Sequence, residues 1–115
     1  MEVLWYTLDE NRVPVPCDDI YRFAAWMSEG GDGAGINPKA VVGKADFTEV
    51  VHVSTVFLGL DHSMGRSNQP ILFETMIFGG PFDGYQRRYA TWEEAEKGHA
   101  EACEQAGRVV PLFRA

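Results

Sequence analysis

Two strand-like apolar runs followed by a well-marked helix constrain the fold of this chain most. The runs extend over Val50 to Leu60 and Ile71 to Phe78, and both are rich in β-branched and aromatic residues. A short polar loop, D-H-S-M-G-R-S-N-Q, separates them. Because a loop of this length joins antiparallel neighbours most simply, the sequence predicts an antiparallel pair at the centre of the fold.

The helix after these runs has clear start and face signals. Thr91 and Glu94 have the spacing of a capping box, in which each side chain satisfies a backbone N–H at the helix start. We expect Gly107 to end the helix, and Gly98 inside it is either simply tolerated or allows close approach to the sheet. One continuous stripe has helical spacing: Trp92, Ala95, His99, Ala102, Cys103 and Ala106.

The N-terminal half predicts a strand, a turn and a shorter helix. Val3 to Leu8 is typical of a strand, whereas the prolines of Val13 to Pro16 place that segment at a sheet edge or outside the sheet. Asp18 or Asp19 can cap the helix, and Gly30 can end it in the left-handed conformation. Its predicted apolar stripe is Ile20, Phe23, Ala24 and Met27, with Trp26 at the margin.

The remaining segments are predicted to be connections. The glycine-rich segment Gly30 to Lys44 follows a helix and leads to a proline, whereas a phosphate-binding loop follows a strand and opens a helix, so we expect a surface loop. Phe82 to Tyr89 is predicted to be a connector, and Val109 to Phe113 a short final strand. The whole chain, residues 1–115, is therefore predicted to be one α+β domain, in which a small antiparallel sheet of three to five strands packs against two helices.

The charge of the chain disfavours direct binding of nucleic acid. The formal net charge is −7, and the ten Lys and Arg residues are scattered, with only Arg87 and Arg88 adjacent. Nucleic-acid binders need a basic face, because phosphate contacts supply most of their affinity. A protein partner with a basic surface is the better electrostatic match.

Cysteine usage and hydropathy favour a cytoplasmic protein without a cofactor. Cys17 and Cys103 lack the spacing of a zinc or redox motif, so we expect two small buried thiols in a reducing compartment. The N-terminus shows no signal-peptide pattern, and no segment approaches the roughly 20 apolar residues of a membrane span. We therefore expect no membrane association and no metal.

Four polar residues near the central strands are candidates for an enzymatic site. Asp61, His62, Glu74 and His99 could gather at a divalent metal or share acid–base work. The structural interpretation is the stronger one: His99 is a core histidine with a hydrogen-bond partner, Glu74 pairs or faces solvent, and Asp61 turns the chain. We therefore predict no catalytic residues, and substitution of His99 or Glu74 should mainly lower stability.

A second set of candidates lies on the polar face of the second helix and in the segment before it. The helix carries five glutamates against one opposing lysine, Lys97, which indicates either a solvated face or a surface that steers towards a basic partner. Aromatic and arginine residues dominate interface hot spots. The candidate partner-binding residues are Glu93, Glu94, Glu101, Glu104, Tyr85, Arg87 and Arg88.

Over roughly residues 50 to 100 the chain resembles a group of small proteins encoded by bacteriophages and prophages. The resemblance is carried by V-S-T-V-F-L-G-L-D-H, L-F-E-T-M-I-F-G-G and R-Y-A-T-W-E-E-A-E-K-G-H. It implies a phage setting and carries over no catalytic residues.

The function expected from these features is stoichiometric binding to a host protein. The most specific candidate is an inhibitor of a host defence or nucleic-acid-processing complex, similar to an anti-CRISPR protein. One alternative is a small metal-dependent or acid–base enzyme that uses His62, Glu74 and His99. Another is a virion assembly protein, and a homodimer through a sheet edge is compatible with this fold class.

Overall fold

Two antiparallel sheets and two α-helices form the structure, which confirms the predicted α+β class. The computed structural model describes residues 5–31, 35–64 and 66–109. In chain order the elements are β1 (Trp5–Leu8), β2 (Pro14–Cys17), α1 (Ile20–Ser28), a short 3₁₀ helix (Pro38–Ala40), β3 (Val41–Asp46), β4 (His52–Phe57), β5 (Phe73–Phe78), β6 (Gln86–Tyr89) and α2 (Trp92–Val109).

The larger sheet has the strand order β3-β4-β5-β6, and every neighbouring pair is antiparallel. The central pair β4 and β5 is in register from His52 opposite Phe78 to Phe57 opposite Phe73, which confirms the predicted antiparallel pair. Because side chains alternate between the faces of a strand, every second residue of β4 and β5 is buried on the side that α2 covers. The opposite face, which we call the open face, keeps its side chains partly or fully exposed.

The core between α2 and the sheet consists of two apolar clusters. In the first cluster, Trp92 and Ala95 from the start of α2 are buried and pack around Phe57 and Phe73. Farther along α2, Ala102 and Ala106 join a second cluster: Val51, Val53 and Ile77, with Ala45, Phe47, Phe82, Tyr85 and Cys103 at its margin. The predicted stripe of α2 is thus the face that contacts the sheet.

The capping box at the start of α2 is formed as predicted. The Glu94 backbone N–H donates to Thr91 Oγ1, and the Thr91 backbone N–H donates to Glu94 Oε1, each at 3.1 Å. Thr91→Ala removes the oxygen that accepts the first of these bonds. We expect it to lower the free energy of unfolding by about 1 kcal/mol, measured by urea denaturation. Ser54→Ala, which removes a half-buried hydroxyl on the open face of β4, serves as the control.

Two strands occur where the sequence predicted connections. β3 begins within the predicted loop Gly30 to Lys44 and continues to Asp46, and β6 lies within the predicted connector Phe82 to Tyr89. Both predictions are wrong over the residues that form these strands. Both are edge strands of the larger sheet, and their exposed or glycine-containing sequences carry little strand signal of their own. They are strands because β4 and β5 offer them a partner.

The faces and ends of the helices also differ in part from the predictions. Asp19 caps α1 and Gly30 has a positive φ, as expected. However, Ile20 is 50% exposed, while Trp26, predicted at the margin, packs edge-on against Phe57 at 5.8 Å between ring centroids. The last turn of α1 is therefore the part of this helix that contacts the core. α2 continues past the predicted stop at Gly107 to residue 109.

The terminal predictions are only partly within the described residues. Of the predicted first strand, residues 5–8 form β1, and residues 3 and 4 lie outside the described part. β2 pairs with β1 apart from the larger sheet, in agreement with its prolines. The predicted final strand at 109–113 falls almost wholly outside the described residues.

Candidate functional site

The polar side chains beneath α2 form one continuous hydrogen-bonded network. His99 Nδ1 lies 2.7 Å from Thr55 Oγ1, and Thr55 Oγ1 lies 2.6 Å from Thr75 Oγ1. The Tyr89 hydroxyl donates to Thr75 Oγ1 at 3.1 Å, and Cys103 Sγ lies 3.4 Å from His99 Nε2. We call these five residues the buried network, in which Thr55, Thr75 and Tyr89 are buried and His99 and Cys103 are half-buried. It bridges β4, β5, β6 and α2, and it satisfies the polar groups that the strands place under the helix.

Two glycines give the buried network its space. A Cβ atom at Gly43 would lie 2.5 Å from the His99 ring, and one at Gly98 would lie closer than 3.0 Å to the Tyr89 hydroxyl and ring. Of the two interpretations of Gly98, the structure therefore confirms close approach of α2 to the sheet. Neither backbone has room for a larger residue unless the network moves.

Burial keeps the buried network in its neutral form. Desolvation lowers the pKa of His99 and raises the pKa of Cys103. Desolvation likewise raises the pKa of Tyr89, although its hydrogen bond to Thr75 acts in the opposite direction. A nucleophilic cysteine needs a depressed pKa, whereas the pKa of Cys103 is raised, so the Cys103–His99 contact does not activate the thiol.

The three residues of the predicted enzymatic site are not brought together. Thr55 and Thr75 are paired across β4 and β5 and face α2, so the neighbouring Glu74 points to the open face. There Glu74 Oε2 accepts hydrogen bonds from Arg88 Nε at 3.0 Å and from the Gln86 amide. His99 therefore lies on the other side of the sheet from Glu74, and His62 lies in the loop after β4.

Asp61 has the turn-forming role favoured by the sequence. Its Oδ1 accepts the backbone N–H groups of Ser63 at 2.8 Å and Ile71 at 3.0 Å. Burial opposes the charged form of Asp61. A hydrogen bond from the Ser63 side chain, the two backbone hydrogen bonds and the nearby His62 together outweigh burial, and the pKa of Asp61 lies below its ordinary value. The carboxylate closes the loop between β4 and β5. Among the residues that the structure describes, no group of three or more His, Cys, Asp or Glu side chains could hold a metal ion.

The predicted partner-binding residues are divided between two sides of the molecule. Arg87 Nη1 donates to Glu101 Oε2 at 3.0 Å on the α2 side, whereas Arg88 pairs with Glu74 on the open face. Tyr85 is half-buried against the second core cluster. The glutamates Glu93, Glu94, Glu101 and Glu104 remain together, exposed on the outer surface of α2.

A cleft between five elements and the turn after β1 was not predicted from the sequence. It has a volume of about 420 Å³, and we call it the tryptophan cleft. Arg12 lies over the ring of Trp92 at 4.6 Å from its centroid. The only sequence signals were Trp26 beside the α1 stripe and Trp92 at the helix start. The lining residues are Leu8, Asp9, Glu10, Arg12, Trp26, Pro38, Lys39, Val41 and Trp92.

Comparisons with known proteins give no relative for this chain. No protein-family model matches it, and neither the curated proteins nor the solved structures contain a match. Within the described ranges, none of the helices is both long and apolar enough to span a membrane. The fold and the local chemistry are therefore the basis of the functional argument.

Proposed function

We propose that this protein acts by stoichiometric binding to another protein through the outer surface of α2. The observation that carries this proposal is the charge of that surface. Five glutamates and two basic residues, Lys97 and Arg108, are exposed along α2. We call the glutamates the acidic surface: Glu93, Glu94, Glu96, Glu101 and Glu104. A surface of one predominant sign favours association with a complementary, basic partner.

The ion pairs within the acidic surface do not prevent such binding. The side chains of Arg87 and Glu101 are 49% and 47% exposed, and those of Arg108 and Glu104 are more exposed still. Exposed ion pairs contribute at most about 1 kcal/mol. Lysine and arginine side chains of a partner can therefore replace Arg87 and Arg108 at little cost in free energy.

The proposed partner is a basic, nucleic-acid-processing complex of a bacterial host, and the proposed setting is the host cytoplasm. The resemblance to phage-encoded proteins supports this setting. The acidic surface supports the choice of partner, because a groove that binds phosphates is itself lined with cations. A protein that covers such a groove would act as an inhibitor without any catalytic residue, as expected for a defence inhibitor.

The test compares two variants that change the net charge equally. Glu101→Lys/Glu104→Lys reverses charge on the acidic surface, and Glu29→Lys/Glu49→Lys reverses two exposed carboxylates elsewhere. Tagged wild-type protein should capture one stoichiometric protein from bacterial lysate, identified by mass spectrometry. We expect the first variant to weaken binding to that purified partner by more than about tenfold and the second to leave it within about threefold.

Two further measurements make the result decisive. Thermal melts monitored by circular dichroism should show that both variants are folded, since the substituted side chains are exposed. Binding of the wild type should weaken with added salt, because exposed charges are screened. Equal loss of binding in both variants, or a partner that binds both normally, would contradict the proposed role of the acidic surface.

A further inference from the structure

The tryptophan cleft lies where the turn after β1 meets five elements: β1, α1, the 3₁₀ helix, β3 and α2. The turn after β1 supplies Asp9, Glu10 and Arg12, and α1 supplies Trp26 from its last turn. The 3₁₀ helix supplies Lys39, and Trp92 is the first residue of α2. Its volume of about 420 Å³ lies in the range of small-molecule sites. None of the glutamates of the acidic surface lines the cleft.

One buried donor beside the cleft has no partner. Trp92 is only 6% exposed, and its indole Nε1–H makes no hydrogen bond within the described residues. Buried polar groups in folded proteins are almost always paired. The indole of a buried tryptophan in particular usually finds an acceptor. The unpaired donor is an enclosed atom of a residue that lines the cleft, and it points to a ligand that supplies an acceptor.

A ligand can displace the Arg12 side chain that covers Trp92. Arg12 lies over the Trp92 ring, but its own side chain is exposed, and a cation–π contact at an exposed site is weak. Arg12 also has a φ of 64°, in the left-handed region that an arginine rarely adopts. The turn thus holds a guanidinium group against the indole without fixing it there.

We infer that the tryptophan cleft binds a small, neutral heteroaromatic molecule of the nucleoside class, with an acceptor atom that takes the Trp92 indole N–H. Trp26 and Trp92 offer aromatic surface on which a base can stack. Lys39 and Arg12 supply donors, and Glu10 supplies an acceptor beside them. Because the charges of the lining nearly balance, it suits a neutral ligand with both donors and acceptors. This inference does not depend on the proposed function.

The experiment observes the indole N–H groups directly. Protein labelled with ¹⁵N has three tryptophan side-chain signals, from Trp5, Trp26 and Trp92, which tryptophan-to-phenylalanine variants assign. Adenosine, guanosine, cytidine and uridine are titrated separately, and heats of binding are measured by calorimetry. We expect at least one nucleoside to bind with 1:1 stoichiometry and to shift the Trp92 indole signal downfield, as a newly formed hydrogen bond does.

Variants distinguish recognition from simple filling of the cleft. Trp92→Phe keeps an aromatic ring without the donor and should weaken binding about tenfold. Trp5 packs against Phe23 and does not line the cleft. The substitution Trp5→Phe should therefore leave the affinity for the nucleoside within about twofold of the wild-type value. Lys39→Met and Arg12→Gln change exposed side chains and should weaken binding even if Trp92→Phe fails to fold.

Three results would overturn the inference. The first is the absence of binding by all four nucleosides at millimolar concentration. The second is binding that leaves the Trp92 indole signal in place. The third is an equal response to toluene, which fills apolar space but has no acceptor atom.

Discussion

Gly98→Ala is expected to lower the free energy of unfolding by about 1–3 kcal/mol, although the same change usually stabilises a helix. The reason is the approach of Tyr89, whose hydroxyl and ring would lie closer than 3.0 Å to the new Cβ atom. Tyr89 is buried and donates to Thr75. It can therefore make room only by disturbing the buried network or by lifting α2 from the sheet.

Gly107→Ala provides a matched control on the same helix. A Cβ atom there would meet the Phe47 ring at 3.4 Å, which is close to an ordinary contact. We expect this variant to be neutral or to stabilise by up to about 1 kcal/mol, the usual helix-propensity gain. Urea denaturation of both variants measures the difference. If Gly98→Ala proved as stable as Gly107→Ala, Tyr89 would be free to move and the close packing described above would be contradicted.

The parts of the fold that local sequence determines could be predicted. The capping box at Thr91 and Glu94, the stripe of α2 and the alternation along β4 are all decided by neighbouring residues. β3 and β6 could not be predicted in the same way. Their residues form strands because β4 and β5 leave edges to pair with, and this information lies far away in the sequence.

The predicted enzymatic site shows why register matters more than proximity in sequence. Glu74 and Thr75 are adjacent, but they lie on opposite faces of β5, since side chains alternate along a strand. Which of the two faces receives His99 depends on where α2 packs. Sequence alone indicated that His99 is a core histidine with a hydrogen-bond partner, and Thr55 is that partner.

The tryptophan cleft marks the limit of prediction from sequence in this chain. Its lining comes from five elements and a turn, in segments that are far apart along the chain. Nothing in the local pattern around Trp92 distinguishes a core tryptophan from one that lines a cleft. The unpaired indole N–H becomes visible only when the acceptors of the described residues are placed around Trp92.

The stability of the protein is expected to fall in mildly acidic solution because of His99. Burial places the pKa of folded His99 below its ordinary value of 6.5, so the unfolded chain binds this proton first. Between the two pKa values stability therefore falls with decreasing pH, by up to about 1.4 kcal/mol per pH unit. The stabilisation is complete above pH 6.5 and is lost as the pH drops to the pKa of the folded state.

At alkaline pH, the dependence of the free energy of unfolding on pH should have the opposite sign. The pKa values of Cys103 and Tyr89 are raised above 9.0 and 10.0 in the folded protein. The unfolded chain then loses these protons first, and stability decreases as the pH rises above 9.0. The buried network as a whole therefore favours an interval of maximum stability between these limits.

His99→Gln separates this effect from every other titration in the protein. Glutamine fills part of the space and cannot be protonated. The fall of the free energy of unfolding in acid, which we call the acid limb, should therefore become less steep by up to about 1.4 kcal/mol per pH unit. Near pH 8 the variant should also be about 1–3 kcal/mol less stable, because Thr55 loses a partner in a buried position. His52→Gln, at a ring that pairs with Asp46 outside the buried network, should retain the part of the acid limb that His99 causes. Urea denaturation from pH 5 to 9 measures all three proteins. An acid limb that persists unchanged in His99→Gln would mean that His99 does not titrate in the buried state described here.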